Sequence, residues 1–198
     1  MNADSRVKKL FLHHLQCLES VMEQVADASE RAGFLLSESL LADGRILCCG
    51  NGGSAAEAQH FSSEMLNRFE RERPGLPAIA LTADTPTLTS IANDYDYRDV
   101  FARQILALGQ ATDALLAYTT SGRSPSILQA IRAAHERGMR VVLLSGRDGG
   151  EAARILHDDD IEIRVAVDST ARIQEIHLLV THALCDTIDY TLFGEQIP

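Results

Sequence analysis

The chain has 198 residues, of which 45% are hydrophobic and 23% are charged, which is ordinary for a globular protein with a sizeable core. Its formal net charge of −10 disfavours general binding to nucleic-acid phosphates, although a local nest of amides can still hold a small anion. No apolar run is long enough to span a membrane or to form a signal peptide, so we expect a cytoplasmic protein with no membrane partner and no direct nucleic-acid partner.

The first predicted element is a helical region over about residues 5–42. Apolar residues such as Leu10 and Cys17 recur there at intervals of three or four. Gly33 is a weak internal break, and Gly44 belongs to a stop signal just beyond the region. The pattern predicts two helices, or one kinked helix, outside the main sheet.

Short apolar runs then alternate with amphipathic segments. The runs, which predict strands, are 45–49, 77–81, 114–118, 140–145 and 161–165. The segments, which predict helices, are 54–69, 86–108, 124–137, 149–157 and 170–192. This alternation predicts an α/β fold with a five-stranded parallel sheet between layers of helices. No linker is visible, so we predict a single domain over residues 1–198.

Two polar turns follow the first and third predicted strands. The turn 50–54 reads GNGGS, and the turn 119–124 reads TTSGRS. Glycines let the backbone approach a ligand, Ser54 can cap the next helix, and amides at a helix N-terminus favour an anion. The second turn has neither the lysine of a P-loop nor the GxGxxG dinucleotide spacing. Each turn is therefore either an ordinary capped turn or part of a site for a sugar phosphate, and we favour the sugar-phosphate site.

His60 and Glu64 are four residues apart, which places them on one face of the helix after the first turn. Imidazole and carboxylate suit zinc, so both residues are candidate metal ligands; alternatively, Glu64 is a general base. An isolated pair of this kind is more often a surface interaction. The neighbouring GNGGS turn favours a functional role here.

Other polar residues have ordinary structural explanations. His177 is expected to be structural, and the mixed charge run 68–73 is expected to be a solvated face. Four further histidines have no evident partner and are assigned to the surface: His13, His14, His135 and His157. The cysteines lack metal-ligand spacing and are expected to be buried free thiols: Cys17, Cys48, Cys49 and Cys185.

Five motifs, in their order along the chain, resemble the SIS (sugar isomerase) domain family, and within it the phosphoheptose isomerases: CGNGGSA, QHFSSE, IANDY, TTSGRS and RIQEIHLLVTH. The resemblance covers almost the whole chain. It implies an SIS-type three-layer sandwich with added N-terminal helices. It also implies isomerisation of sedoheptulose 7-phosphate to D-glycero-D-manno-heptose 7-phosphate through an enediol, the first step toward ADP-heptose for the lipopolysaccharide core. The alternative is a non-catalytic branch of the family, a sugar-phosphate-binding regulator that associates with the replication initiator.

The resemblance also implies the residues of the site. It assigns one zinc ion per site to His60, Glu64, Gln174 and His182, and proton transfer to Glu64 and His182. Retention of the last two residues favours the enzyme over the regulator. The implied substrate-binding residues are Asn51, Gly52, Gly53, Ser54, Glu64, Asn93, Asp94, Thr119, Thr120, Ser121, Ser124 and Gln174.

Gln174 and His182 lie eight residues apart on one predicted helix, which corresponds to about 12 Å of rise and about 80° of rotation. Either long side chains bend toward one point, or different copies of the chain contribute to one site. The resemblance implies a homotetramer with sites between subunits. The chain departs from the family pattern at Arg123, which either supports a bound phosphate or faces solvent, and at Ala171, where some members have an aspartate.

Overall fold

The computed structural model describes residues 5–195 and contains a five-stranded sheet in which neighbouring strands pair in parallel. The strands are β1 (Ile46–Cys49), β2 (Ala78–Ala80), β3 (Ala114–Tyr118), β4 (Arg140–Gly146) and β5 (Ile161–Val165). Their order across the sheet is β2-β1-β3-β4-β5. The α/β fold and the five-stranded parallel sheet predicted from the sequence are confirmed.

Helices connect the strands and extend beyond them. Within the described residues they are α1 (Arg6–Leu41), α2 (Gly53–Leu66), α3 (Thr85–Asp94), the 3₁₀ helix (Tyr97–Asp99), α4 (Ala102–Leu108), α5 (Pro125–Glu136), α6 (Gly150–Arg154) and α7 (Thr170–Phe193). None of the helices between residues 5 and 195 combines the length and the apolar character needed to cross a membrane.

The sheet lies between two helical layers. Alternate strand side chains point to opposite faces: Ile46 and Cys48 pack with α1, α2 and α7, whereas Leu47 and Cys49 pack with helices α3 to α6. Because both faces are covered, β1 and β3 are buried along their whole length, which explains their uniformly apolar sequences. This is the three-layer arrangement that the alternating pattern predicts.

Helix α1 is a single helix of 36 residues, so the first predicted region is neither two helices nor interrupted at Gly33. Gly33 instead marks a place where α1 approaches α7 closely. A Cβ atom on this residue would lie 2.5 Å from a methyl carbon of Thr187. The glycine therefore permits close helix packing. In the sequence alone, a glycine with this role looks the same as one that breaks a helix. The stop signal is correct, because the helix ends at Leu41 and the amide of Gly44 donates back to the carbonyl of Ser39.

The predicted helix 86–108 is three elements: α3, the 3₁₀ helix and α4. The break falls after Asp94, and Asp96 then caps the 3₁₀ helix by accepting a hydrogen bond from the Arg98 amide. Helix α3 buries only Ile91. The apolar periodicity continues through the break, so it did not reveal the interruption.

All four cysteines are free and buried, as predicted. Burial raises the pKa of the Cys48 and Cys49 thiols well above the ordinary value. The thiols therefore act as small apolar side chains in the core and have none of the thiolate character that metal binding or nucleophilic attack requires.

Candidate active site

The two polar turns meet at the carboxyl edge of the sheet. Strands β1 and β3 are neighbours, but the chain leaves β1 toward the layer that holds α2 and leaves β3 toward the layer that holds α5. Ligands of open parallel sheets bind at such a switch point. A hydrogen bond of 2.9 Å from the Asn51 side-chain amide to the Ser126 hydroxyl links the first turn to the start of α5, the helix that follows the second turn.

The first turn brings bare backbone to this edge. Gly52 has φ of 58° and occupies the N-cap position of α2. The prediction that Ser54 caps the helix is wrong, because Ser54 lies one step inside it, buried in the first turn. Gly53 packs against the carboxamide of Gln174, and a Cβ atom on Gly53 would lie 2.3 Å from its Nε2 atom. Gln174 from α7 is therefore placed at the glycine turn.

The second turn is rich in hydroxyls that shape the backbone. The Thr119 hydroxyl accepts from the Gly122 amide at 3.1 Å, and the Ser121 hydroxyl accepts from the Arg123 amide at 3.2 Å. Ser124 occupies the N-cap position of α5 without a capping bond from its side chain, and a proline follows it. The Ser124 hydroxyl is therefore available to an anion at the N-terminus of α5, whereas Pro125 has no amide hydrogen and the Ile127 amide donates to the Ser124 carbonyl at 3.0 Å. Thr120, between these residues, is half-buried.

Arg123 forms an exposed ion pair with Asp148, at 2.6 Å, and also donates to the Ser121 carbonyl. This hydrogen-bonded pairing raises the pKa of Arg123 and lowers that of Asp148. The Arg123 guanidinium therefore stabilises the second turn from its solvent-exposed side.

A cluster of His60, Glu64 and His182 lies between α2 and α7. The Nε2 atoms of the two histidines are 2.9 Å apart, and the Nε2 atom of His60 is 3.6 Å from a carboxylate oxygen of Glu64. The His60 and Glu64 side chains are 38% and 23% exposed, so the cluster is open to a ligand. Phe69 stacks on the His182 ring, with ring centroids 5.6 Å apart, and thereby fixes its orientation.

Two facing imidazole nitrogens at hydrogen-bond distance must share one proton or one cation, because two lone pairs cannot face each other favourably. Zinc–nitrogen bonds of about 2.0–2.1 Å place two nitrogens of a tetrahedral site about 3.3 Å apart, only slightly more than the separation seen here. The His60 and His182 imidazoles therefore suit a zinc ion, whereas the Glu64 carboxylate is near His60 alone and would have to move toward His182 to join them. In the present arrangement one imidazole donates to the other.

Asn93 and Asp94 lie at the end of α3 and are both exposed. The Asn93 amide donates to the Asp94 carboxylate at 2.8 Å. Tyr97, three residues later, donates from its hydroxyl to the Asn51 carboxamide oxygen at 2.9 Å. Tyr97 and Ser126 were not expected at the site, because tyrosine and serine carry no local signal of such long-range contacts.

Three of the four histidines predicted to lack partners have them. The Nδ1 atom of His14 lies 2.6 Å from the Glu175 carboxylate. His135 lies 2.7 Å from the Asp160 carboxylate and stacks on His157, with ring centroids 3.6 Å apart. These partners are between 22 and 161 positions apart in sequence, so helical or strand spacing gives no sign of them.

His135, His157 and Asp160 bring one potential ligand atom each within 4.8 Å of one another, a possible metal-binding group among the described residues. Here, however, the His135 ring and the Asp160 carboxylate form a hydrogen bond with each other. The Asp160 carboxylate already accepts from the His135 ring and from the amides of Val141 and His157. Two parallel rings also cannot both hold one ion in their planes. The arrangement is that of a hydrogen-bonded turn at the edge of the sheet opposite the polar turns.

Arg73 was expected in a solvated charge run, but its side chain is only 1% exposed. It donates to Asp189 on α7 at 2.5 Å and to the carbonyls of Glu64 and Met65 at 3.0 Å. Burial raises the pKa of Asp189, and the Arg73 guanidinium acts in the opposite direction. Arg73 thus satisfies the end of α2 and attaches it to α7 just beyond the His60–Glu64 pair.

His177 is fully buried, in agreement with a structural role. Its Nε2–H donates to the Ser145 carbonyl at 3.0 Å. Its Nδ1 atom has no hydrogen-bond partner and faces the Glu57 carboxylate at 3.9 Å. This buried polar pair lies between helices α2 and α7.

Comparison with known proteins places these features in context. Residues 11–146 match the profile of the SIS domain. The chain is 60% identical over 195 residues to the phosphoheptose isomerase of Methylococcus capsulatus, covering 98% of this chain and all of that protein. It is 58% identical over 194 residues to the phosphoheptose isomerase of Alkalilimnicola ehrlichii, again with almost complete coverage of both.

Solved structures of two phosphoheptose isomerases superpose closely on this chain. The phosphoheptose isomerase of Francisella tularensis superposes with a TM-score of 0.91 at 43% identity, covering 96% of this chain and 99% of that one. The phosphoheptose isomerase of Neisseria gonorrhoeae superposes with a TM-score of 0.89 at 45% identity, covering 93% and 97%.

Proposed function

The chain belongs to the SIS domain family, and within it to the phosphoheptose isomerases, and from this premise we propose that it converts sedoheptulose 7-phosphate to D-glycero-D-manno-heptose 7-phosphate. The observation that carries the proposal is the cluster of His60, Glu64 and His182, which lies two to three turns along α2 from the glycine turn at which that helix begins. Such a site offers proton transfer at one end of a sugar and phosphate binding at the other. The product would feed the synthesis of ADP-heptose for the lipopolysaccharide core.

The reaction moves a proton from C1 to C2 through an enediol, so it needs a base at carbon and an acid at the carbonyl oxygen. We assign the base to Glu64, whose carboxylate is partly exposed beside His60. We assign the acid to His182, on whose ring Phe69 stacks and whose Nε2 atom lies 2.9 Å from that of His60. The two helices thereby supply groups to both sides of the reacting carbons.

The phosphate is assigned to the two turns, with Ser54, Thr119, Thr120, Ser121 and Ser124 as donors. The N-termini of α2 and α5 add a favourable helix dipole, which supports binding of an anion by an acidic chain. Further substrate contacts are proposed for the backbone of Gly52 and Gly53 and for the side chains of Asn51, Glu64, Asn93, Asp94 and Gln174.

We further propose one zinc ion per site, held by His60, Glu64 and His182 with Gln174 as the fourth ligand. Support comes from the facing imidazoles of His60 and His182. Gln174 packs against Gly53, about two turns of α2 before His60, so the fourth ligand is proposed to come from another copy of the chain. When bound, zinc would polarise the substrate oxygens as a Lewis acid. A zinc-bound His182 would leave proton donation to the carbonyl oxygen to another group, so metal content and activity must be measured together.

A homotetramer with sites between subunits is also proposed. Helices α1 and α7 carry a broad apolar surface that faces away from the sheet, and an isolated chain would leave it in water. Its exposed members include Val7, Phe11, Leu15, Met22 and Leu179. The chain is proposed to act as one SIS domain, since β5 and α7, beyond the profile match, complete the same sheet and site. Four free thiols suit the reducing cytoplasm, where we place the enzyme.

The test is an isomerase assay with sedoheptulose 7-phosphate, run on the protein as purified, after chelation, and after zinc is restored. Turnover that chelation removes and zinc restores is the expected result. A zinc-loaded protein that binds the sugar phosphate without converting it would be the non-catalytic regulator instead.

A further inference from the structure

One hydrogen bond attaches the segment 85–99, which consists of α3 and the 3₁₀ helix, to the rest of the site. Apart from the Asp84 cap at its start and the bond from the Val100 amide to the Tyr97 carbonyl at its end, the Tyr97–Asn51 bond of 2.9 Å is the hydrogen bond that this segment makes to residues outside it, within the described part of the chain. The remaining attachment is apolar: α3 buries Ile91, and Leu88 and Ala92 pack partly buried against the same core. The Tyr97–Asn51 bond is the polar contact that orients the segment relative to the glycine turn.

Asn51 connects Tyr97 to the start of α5. Its side chain contacts Tyr97 through the carboxamide oxygen and Ser126 through the amide nitrogen, at 2.9 Å each. Ser126 is 2% exposed and lies in the first turn of α5, directly after the hydroxyl-rich turn. The chain Tyr97–Asn51–Ser126 thus joins three parts of the site: the segment 85–99, the glycine turn and the N-terminus of α5.

These three parts have different tasks under the proposed function, on which this inference rests. The two turns bind the phosphate, whereas Asn93 and Asp94 in the segment contact sugar hydroxyls. The distance between the phosphate site and the hydroxyl contacts decides which length of sugar fits. A residue that fixes this distance affects substrate binding before it affects the chemistry at C1 and C2.

We propose that Tyr97 is a positioning residue, which holds the segment 85–99 at the correct distance from the phosphate turns through Asn51 and Ser126 and so selects a seven-carbon sugar phosphate over shorter ones. Tyr97 does not contact the reacting atoms. Its ring is 57% exposed, so its hydroxyl can be removed without leaving a cavity in the core.

Tyr95 provides a matched control. It lies two positions earlier in the same segment and is 60% exposed. Its ring lies over the Arg103 guanidinium at 3.7 Å, and its hydroxyl has no hydrogen bond in the described structure. Tyr95→Phe and Tyr97→Phe therefore make the same chemical change, and only the second breaks the chain to Asn51.

The experiment measures kcat and KM of the zinc-loaded enzyme for sedoheptulose 7-phosphate and for a five-carbon ketose phosphate. Tyr97→Phe should raise KM for the seven-carbon substrate about three- to tenfold, the effect of one lost hydrogen bond, with kcat changed less than about twofold. KM for the five-carbon substrate should change less, because that sugar does not reach the displaced contacts. Tyr95→Phe should match the wild type.

Ser126→Ala adds a test of the chain itself. Tyr97 and Ser126 are joined through Asn51, so the double variant should raise KM no more than the larger single change. Full additivity would overturn the proposal, as would a Tyr97→Phe variant that matches Tyr95→Phe or that loses kcat at constant KM. A wild type that neither converts nor binds the sugar phosphate refutes the proposed function as well, whereas normal wild-type turnover with an unaffected Tyr97→Phe variant refutes only this inference.

Discussion

Glu64 is the residue on which the assignment of proton transfer depends most directly. Glu64→Gln preserves the size of the side chain but removes its basicity, so turnover should fall about 10²–10⁴-fold. His182→Asn should have an effect of the same order. Glu72→Gln is the control, because Glu72 lies near Glu64 in sequence with a side chain 88% exposed. The test is steady-state kinetics on variants whose circular dichroism spectra are unchanged. Full turnover by Glu64→Gln would exclude Glu64 as the base.

Ser124 offers the corresponding test of the phosphate site. Its hydroxyl makes no capping bond and is available to an anion. Ser124→Ala should weaken sugar-phosphate binding by about 1–2 kcal/mol, the scale of one hydrogen bond to a charged group. Calorimetry in a Glu64→Gln background avoids turnover during the titration. Ser63→Ala, at an exposed serine of α2, should leave the affinity unchanged.

Residue types and spacing could indicate part of this site. The spacing of His60 and Glu64 and the two polar turns are local signals, and the strand–helix alternation predicts that such turns meet at one edge. Arg73, Tyr97 and Ser126 could not be found in this way, because each acts through a partner that only the folded chain brings near. The contacts of His135 with Asp160 were missed for the same reason.

At the scale of elements, the seam between α2 and α7 holds the site together. Along it Gly53 meets Gln174, Glu57 faces His177, and His60 meets His182. The residue numbers rise together on both helices, so these helices run in parallel. A shift of one helix by a turn would separate every pair. Arg73 and Asp189 close the seam at its far end.

Breaking this buried ion pair should therefore destabilise the fold. Asp189→Ala leaves the Arg73 guanidinium buried without its counter-charge, and we expect a loss of about 3–5 kcal/mol in the free energy of unfolding. Glu151→Ala is the control, because Glu151 and its partner Arg132 are about half exposed and such pairs contribute about 0–1 kcal/mol. Urea denaturation of both variants gives the comparison. Equal losses would show that the seam does not depend on the pair.

Elements with a strong local pattern were predicted to within a few residues, as the limits of β3 and β5 show. The predicted elements were wrong at positions where one sequence pattern is compatible with two different structures. Gly33 is a helix breaker in isolation but allows close helix contact in α1. The residues after Asp94 continue an apolar period although the helix has ended, because Val100 and Phe101 enter the same core from the following turn.

For the whole molecule, the apolar surface of α1 and α7 predicts association. Light scattering should give about four times the 21.6 kDa mass of one chain. Met22→Glu and Leu179→Glu place charges on this surface and should lower the mass. Leu108→Glu introduces the same charge on the opposite helical layer and should leave the mass unchanged. A monomeric wild type at micromolar concentration would contradict the tetramer.

The buried thiols give an independent measure of the integrity of the core. Because all four cysteines are buried, a thiol reagent should react with none of them in the native protein and with all four after denaturation. Rapid labelling of a native thiol would mean that the surrounding helices open under native conditions.

The short outer strand β2 has a consequence for how copies of the chain can meet. An uncovered sheet edge invites another chain to extend the sheet, the route to fibrous aggregation. Here one edge is β2, only three residues long and preceded by Pro77, which has no amide hydrogen to donate. The other edge, β5, carries the ion pair of Glu162 and Arg164 at 2.5 Å. Both edges discourage strand addition, so the sheets of separate copies are not expected to join edge to edge into a filament.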